Sequence, residues 1–169
     1  WLWLPLLGFH PAMILLQMSV SLLYQFWIHT EAIDKMPKWF EAVMNTPSHH
    51  RVHHGSNPLY LDRNHAGILI IWDKWFGTFQ PELKDEKVVY GLVKNINTYN
   101  PVKVAFIEWY YMILDVFSGE KSLKNRLLYL IKPPGWRHDG TGKVSDDLRE
   151  EWKKKVSSIQ SQSSVNTKN

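Results

Sequence analysis

The sequence predicts an all-α, membrane-embedded helical protein with a histidine-bearing cap. The first charged residue is Glu31, so the opening 30 residues carry no formal charge, a length sufficient to cross a bilayer once. Within this stretch we expect a continuous helix over about residues 11–30, because Pro11 suits a first helical turn and no proline follows it there. Helical spacing of apolar residues or matching caps recur over residues 31–45, 101–117, 122–131 and 145–160.

The apolar segment at residues 11–30 is interpreted as a membrane span. Tyr24, Phe26 and Trp27 lie near its end, and such aromatic residues favour the membrane interface. A secretory signal peptide is disfavoured, because a positively charged leader is absent and the apolar run is too long and too aromatic. A buried core helix stays open as the alternative, since glutamine and serine residues interrupt the run.

Composition limits the other function classes. There is no cysteine, which excludes disulfides and thiolate metal sites within this segment. The net charge is +4, with ten Lys or Arg between Lys121 and Lys155, which favours a cytoplasmic membrane face. No nucleic-acid module, glycine-rich phosphate loop or serine nucleophile elbow is recognisable. We therefore expect a membrane partner and no nucleic-acid partner.

The strongest local feature is a set of four histidines within the six residues 49–54. Thr46 can cap a helix, Pro47 suits its first position, and Gly55 suits a left-handed residue after its end. The segment is therefore predicted to form a helix of about two turns. No glutamate lies within it, so the HExxH pattern of zinc hydrolases is not met.

Helical geometry narrows the ligand set. At roughly 100° per residue, His50, His53 and His54 fall within an arc of about 100°, and His49 lies at its flank. Imidazoles at this spacing can converge on one metal ion or a close pair, and they suit iron, zinc, copper or nickel. Metal binding is therefore the leading hypothesis for this helix.

Three segments in order carry a resemblance: FWIHTE at 26–31, NTPSHHRVHHG at 45–55 and DRNHAGILIIWDKWFGTF at 62–79. Together they resemble the fatty acid hydroxylase and sterol desaturase family of membrane di-metal oxygenases. Shorter agreements, including VVYGL, INTYNPVKV and PGW, extend the resemblance over roughly residues 20–136. It implies a catalytic domain whose C-terminal part is residues 1–136, followed by a polar, basic, partly disordered tail at 137–169.

The resemblance also implies a ligand set. His50, His53 and His54 match the final HxxHH motif of the family, and His29 matches an isolated histidine at a helix end. Two iron ions that activate dioxygen are implied at the cytosolic ends of the membrane helices. The earlier HxxxH and HxxHH motifs are expected before Trp1, because the sequence does not contain them and starts without methionine.

Other polar residues near the motifs are candidates for supporting roles. Glu31, His49 and Asp62 are candidates to orient the ligating imidazoles through hydrogen bonds, although helix capping or loop contacts explain Glu31 and Asp62 equally well. His65 is expected to fill a loop, and an approach to the metals is the alternative.

Four further expectations concern residues outside the ligand set. His10 and His138 have no partner at ligand spacing. Asp73 is expected to pair with a basic residue such as Arg51, since a buried acid needs a partner. Residues 87–93 could form a short strand. The aromatic residues of 72–79 are expected to shape a dry lipid pocket beside the metal.

Within the family, the motifs are most similar to those of members that hydroxylate the carbon next to the ether oxygen of alkylglycerols. That resemblance implies O2 and tetrahydrobiopterin as co-reactants, and a multi-pass protein of the endoplasmic reticulum membrane with its histidine site facing the cytosol. A sterol or fatty acyl hydroxylase or desaturase of the same family is the nearest alternative. A noncatalytic metal-binding membrane protein is the alternative from another class.

Overall fold

A computed structural model describes the backbone of residues 1–166 and the side chains of residues 1–160. The chain divides into two compact units, Trp1–Gly91 and Leu92–Asn169. Helices account for the regular structure of the described residues, among which no β-strand forms; two isolated bridges join Met44 to Leu69 and Gly55 to Tyr90. The prediction of an all-helical chain is confirmed.

The first unit contains a short 3-10 turn, Pro5–Leu7, and four α-helices. The helices are α1 (Pro11–Ile28), α2 (Lys38–Val43), α3 (Pro47–His53) and α4 (Ile71–Phe76). The second unit contains α5 (Pro101–Phe117), α6 (Leu123–Ile131) and α7 (Ser145–Asn166).

Helix α1 is long and apolar enough to cross a membrane, and no other helix among the described residues meets that test. It begins where His10 Nδ1 accepts a hydrogen bond from the amide of Ala12, and Pro11 occupies its first position. Of its residues only Ile28, at the C-terminal end, is buried. The helix therefore does not serve as the buried core helix of its unit.

The core of the first unit is small and largely polar. Its fully buried apolar side chains include Ile28, Val52 and Ile70, while Asn45 and Asn64 are also almost completely buried. Asn64 adopts a left-handed φ of 53° and donates to the carbonyls of residues 49 and 80. Because a buried amide must be hydrogen-bonded, these contacts fix the irregular loops around the histidine helix.

Asp73 corrects one sequence-based expectation. The side chain is 2 % exposed, yet it does not pair with Arg51. Its carboxylate accepts hydrogen bonds from the amides of His65 and Ala66 and from Thr78 Oγ1. Neutral donors from the chain around it thus satisfy this acid, which ties both sides of α4 together.

Gly55 lies after α3 for a different reason from the one predicted. It is not in the left-handed region. A Cβ atom at this position would lie 3.0 Å from Cδ2 of Tyr60, a buried side chain, so close packing favours glycine here. The short strand expected at residues 87–93 is also wrong, since Tyr90 contributes only an isolated bridge to Gly55.

The second unit is built on a helical hairpin. Asn100 caps α5 by accepting hydrogen bonds from two amides, and Ser122 caps α6 through the amide of Asn125, as their sequence positions predict. Arg126 Nη1 donates to the carbonyl of Val116 at the end of α5. This contact joins the last turn of α5 to the first turn of α6.

Helix α7 begins at Ser145 as predicted and continues to Asn166, six residues past the expected end. The helix lies within the tail at 137–169, which was expected to be partly disordered. The remaining part of that prediction, residues 167–169, lies outside the described residues.

The role of Asp73 gives a testable expectation for stability. Asp73→Asn replaces a carboxylate oxygen by an amide that cannot accept a hydrogen bond, so buried N–H or O–H donors lose a partner. We expect the free energy of unfolding to fall by about 1–3 kcal/mol. Denaturant titration in detergent measures this change. Asp85→Asn, at an exposed acid, is the matched control, and an equal effect of both variants would contradict the assignment.

Candidate metal centre

Three imidazoles converge where the end of α1 meets α3. His29 follows the last residue of α1, His50 lies within α3, and His54 follows it directly. The Nε2 atoms of His29 and His50 are 2.8 Å apart, and His54 Nε2 lies 3.1 Å from each of the other two. Three ring nitrogens thus point at one small volume.

The spacing of these nitrogens fits ligation of a single ion. Metal–imidazole bonds are about 2.1 Å long, so nitrogens at right angles around one ion lie about 3.0 Å apart. The separations of 2.8–3.1 Å match that value. His29, His50 and His54 could therefore hold one ion together through their Nε2 atoms.

Hydrogen bonding sets the tautomer of His29 in a manner suited to a ligand. Its Nδ1 lies 2.6 Å from the carbonyl oxygen of Gln25, one turn earlier in α1. A carbonyl can only accept, so Nδ1 carries the proton and the neutral ring has its lone pair on Nε2. Metal-bound histidines are commonly oriented in this way by a carbonyl or carboxylate.

Burial and the neighbouring rings favour the neutral forms of His50 and His54. Burial, followed by the nearby rings of His29, His54 and His53, lowers the pKa of His50 to about 3. Burial, and then the neighbouring His53 and His29, also lowers the pKa of His54. Neutral imidazole is the form that ligates a metal, so the environment favours the binding state at physiological pH.

His53 lies beside the three converging rings rather than among them. Its side chain is exposed, its ring stacks on His50 with centroids 5.4 Å apart, and its Nδ1 is 3.3 Å from the carbonyl of Arg63. On its other side, the ring of His65 lies 6.1 Å away. Among the described residues, the histidines whose ring nitrogens lie close enough together to bind one ion are therefore His29, His50 and His54.

None of the three residues considered as orienting groups hydrogen-bonds to His29, His50 or His54 in the part of the chain that the structure describes. His49 is buried and packs edge-on against Phe79 at 5.3 Å, with Nδ1 unbonded. Glu31 shares a hydrogen bond with Tyr90, and Asp62 is exposed at a left-handed φ of 52°. Among the described residues, the group that orients a converging ring is a main-chain carbonyl, that of Gln25.

The sequence analysis did not identify the role of Arg51, which connects the segment after His29 to the helix that carries His50. Arg51 extends from α3 to the segment after α1, where Nη1 donates to the carbonyls of Thr30 and Ile33 and Nη2 donates to that of Asp34. Its Nε and Nη2 atoms also bind the carboxylate of Glu82. Arg51 thus anchors the residues that follow His29 to the helix that carries His50.

A second contact supports the same junction. Tyr24 in α1 donates a hydrogen bond of 2.7 Å to the carbonyl of Asn45, just before α3. Tyr24 and Arg51 therefore join α1 and α3 on either side of His29. The position of Arg51 between the histidines was the one sequence feature that could have indicated its role. The main-chain carbonyls that it binds cannot be predicted from the sequence, because every residue carries one.

The aromatic residues after the histidine helix differ from the expected pocket wall. Trp72 and Trp75 stack on each other with centroids 5.6 Å apart, and Trp75 and Phe76 are about three-quarters exposed. Phe79 is the member of this group that contacts a histidine, His49. Within the described chain these tryptophans form an exposed aromatic surface instead of a dry pocket.

The fold and the histidine cluster agree with the class of protein indicated by comparison. Residues 1–78 match the family model described as fatty acid hydroxylase, so this part of the chain is similar to that family. The resemblance drawn from the three sequence segments is confirmed.

Comparison with individual proteins shows similarity to one kind of enzyme, the alkylglycerol monooxygenases. The chain is 48% identical over 141 residues to alkylglycerol monooxygenases of Homo sapiens and Xenopus tropicalis. It is 42% identical over 134 residues to the Caenorhabditis elegans alkylglycerol monooxygenase. The matches cover 83% of this chain but 30% of the human and Xenopus proteins, and 75% of this chain but 26% of the C. elegans protein. No solved structure is significantly similar to the chain.

The Arg51 contacts predict a large effect of one substitution. The side chains of Arg51 and Glu82 are 10 % and 18 % exposed, so Arg51→Gln leaves a mostly buried carboxylate without its partner. We expect a loss of about 3–5 kcal/mol in the free energy of unfolding, together with reduced metal binding because His29 loses its anchor. Denaturant titration and metal analysis of the purified protein measure the two effects.

Its control is the exposed ion pair between Lys143 and Glu151, whose side chains are both 55 % exposed. Glu151→Gln should change the free energy of unfolding by less than about 1 kcal/mol and leave metal binding unaltered. If Arg51→Gln behaves like this control, the anchoring role is excluded.

Proposed function

We propose that this chain forms part of a membrane monooxygenase that cleaves the ether bond of alkylglycerols by hydroxylating the carbon next to the ether oxygen. The observation that carries the proposal is the convergence of the His29, His50 and His54 Nε2 atoms within 3.1 Å. The similarity to alkylglycerol monooxygenases over 83% of the chain supports the reaction and the substrate class.

The proposed metal is iron, in a di-iron centre to which this chain contributes part of the ligands. His29, His50 and His54 would hold one ion through Nε2, and the proposal assigns His53 to the same centre. Iron bound there would supply the activation of dioxygen, since nitrogen ligands retain iron through redox change while open positions accept O2. His49, Glu31 and Asp62 remain proposed orienting residues.

The proposed reaction converts one C–H bond of the substrate into C–OH. One oxygen atom of O2 enters the carbon bonded to the ether oxygen, and the other leaves as water after two electrons and two protons are supplied. The resulting hemiacetal separates into an aldehyde and a glycerol. Tetrahydrobiopterin is the proposed two-electron donor.

An apolar cavity along α1 supports a lipid substrate. It has a volume of about 690 Å³ and is lined by Leu4, Phe9 and residues of α1 from Met13 to Gln25. The carbonyl of Gln25 is bonded to His29, so the cavity reaches within one helical turn of the histidine cluster. An alkyl chain lying along α1 would place its head near the metal ligands.

The same helix supports the proposed location. We place α1 across the membrane of the endoplasmic reticulum as one span of a multi-pass protein, with the histidine cap on the cytosolic side. Its exposed apolar surface and the Tyr24 and Trp27 pair near its end, with rings 5.5 Å apart, suit a bilayer and its interface.

The ligand assignment is tested by single substitutions in the full-length polypeptide. His29→Ala, His50→Ala and His54→Ala each remove one converging nitrogen, so we expect loss of most bound iron and of aldehyde formation from an alkylglycerol. Iron content and product analysis measure these outcomes.

His138→Ala is the matched control, because His138 contacts Tyr129 in the other unit and should leave iron content unaltered. Full turnover by His54→Ala would refute the site. Iron retained without any oxidation of lipid would instead favour a noncatalytic metal-binding protein.

The electron donor separates the proposal from its nearest alternative. With tetrahydrobiopterin supplied, the purified enzyme should release aldehyde from an alkylglycerol, and no aldehyde should form when the pterin is withheld. Oxidation of a sterol or fatty acyl substrate with electrons from cytochrome b5, and none of an alkylglycerol, would assign the alternative activity of the family.

A further inference from the structure

A second cavity lies in the other unit, between α5, α6 and the loop that follows α6. Its volume is about 300 Å³. Tyr129 and Trp136 line it, with ring centroids 5.2 Å apart and planes inclined at 66°. Two rings at such an angle form an aromatic corner that can contact a rounded ligand on two sides, and Trp109 and Tyr111 contribute further aromatic surface.

The charged residues of this cavity leave a negative balance. Glu108 and Asp115 line it from positions two helical turns apart on α5, and Lys132 is the basic residue of its lining. In the part of the chain that the structure describes, neither the Glu108 nor the Asp115 side chain forms a hydrogen bond or an ion pair. The lining therefore combines aromatic faces with two carboxylates that form no ion pair.

The Tyr129 ring already binds an ammonium group. Lys121 Nζ lies 4.4 Å from its centroid, within the range of a cation–π interaction. Lys121 does not line the cavity, and its ammonium also donates to the main-chain carbonyl of Asp115, so it is held beside the cavity. The phenol oxygen is fixed by His138 Nδ1 at 2.9 Å. The ring is thus held rigidly in a position where it can interact with cations.

We propose that this cavity binds a quaternary ammonium group of the choline class. Aromatic faces attract weakly hydrated organic cations, and the carboxylates supply long-range attraction. Met112, Leu130 and Pro133 also line the cavity and offer apolar contact to N-methyl groups. A strongly hydrated inorganic cation would gain little from such walls. The site does not depend on the proposed oxygenase activity, since its residues all lie in the second unit.

Choline and its neutral isostere 3,3-dimethyl-1-butanol test the proposal. The two have nearly the same shape and differ in charge, so their comparison isolates the cation–π and carboxylate contributions. In the full-length protein in maltoside detergent, saturation-transfer NMR on the trimethyl protons of each compound, N-methyl in choline and C-methyl in its isostere, should give a dissociation constant at least about tenfold lower for choline. Equal affinity for both, or no choline binding, would overturn the proposal.

Variants locate the binding. Trp136→Leu and the more conservative Glu108→Gln should each weaken choline binding about fivefold or more, while Trp39→Leu, at an exposed tryptophan of the first unit, should have no effect. Circular dichroism verifies folding, and Glu108→Gln serves if Trp136→Leu unfolds. Choline binding unaffected by a folded Glu108→Gln and a folded Trp136→Leu would contradict the site.

A second arm identifies the source of the ligand. Dihexanoyl phosphatidylcholine, below its micelle concentration, replaces choline, and dihexanoyl phosphatidylglycerol is its control. Tighter binding of the phosphatidylcholine, lost in Trp136→Leu, supports a lipid head group as the natural occupant. Weaker binding than choline supports a free cation. Equal binding of both lipids would show that the acyl chains alone are recognised and would count against the proposal for lipids.

Discussion

The candidate metal centre depends on one constraint, which is that the end of α1 must lie against α3. His29 and His50 are 21 residues apart, and no regular backbone pairing joins their two segments. The guanidinium of Arg51 and the phenol of Tyr24 provide the connection instead, through hydrogen bonds to main-chain carbonyls. Since a converging set of imidazoles tolerates little displacement, these bonds position the ligands as much as the histidines' own helix does.

The centre is embedded in a polar core. Asn45, Asn64 and Asp73 are almost fully buried. The side-chain amides of Asn45 and Asn64 donate to main-chain carbonyls of the surrounding loops, and the Asp73 carboxylate accepts from main-chain amides. Hydrogen bonds are directional, so such a core specifies loop geometry more narrowly than apolar packing alone. The short helices α2, α3 and α4 are thereby held in place although none exceeds seven residues.

The sequence predicted those features that depend on local chemistry. The helix at 47–53, its start at Pro47, the caps at Asn100 and Ser122 and the apolar helix from Pro11 all follow from neighbouring residues. The Arg51–Glu82 pair joins residues that are 31 positions apart in the sequence. Asp73 accepts hydrogen bonds from main-chain amides, where a basic partner was expected. Both sets of contacts depend on the geometry of the loops, which the spacing of residues in the sequence does not predict. The sequence also did not separate the roles of His53 and His54, because both lie on the same face of the predicted helix. In the structure, only His54 turns toward His29 at the end of the helix.

The contacts of Arg51 also bear on which sequences can form this junction. The guanidinium binds the carbonyl oxygens of Thr30, Ile33 and Asp34, and every amino acid carries such an oxygen. Side chains at those positions are therefore free to vary during evolution, so long as the backbone can follow the same path. Arg51 and Glu82 are not free to vary, because substitution of either residue would leave the other one buried without its counter-charge. Related chains can thus differ in sequence in the segment after α1 while keeping the same arrangement of His29, His50 and His54.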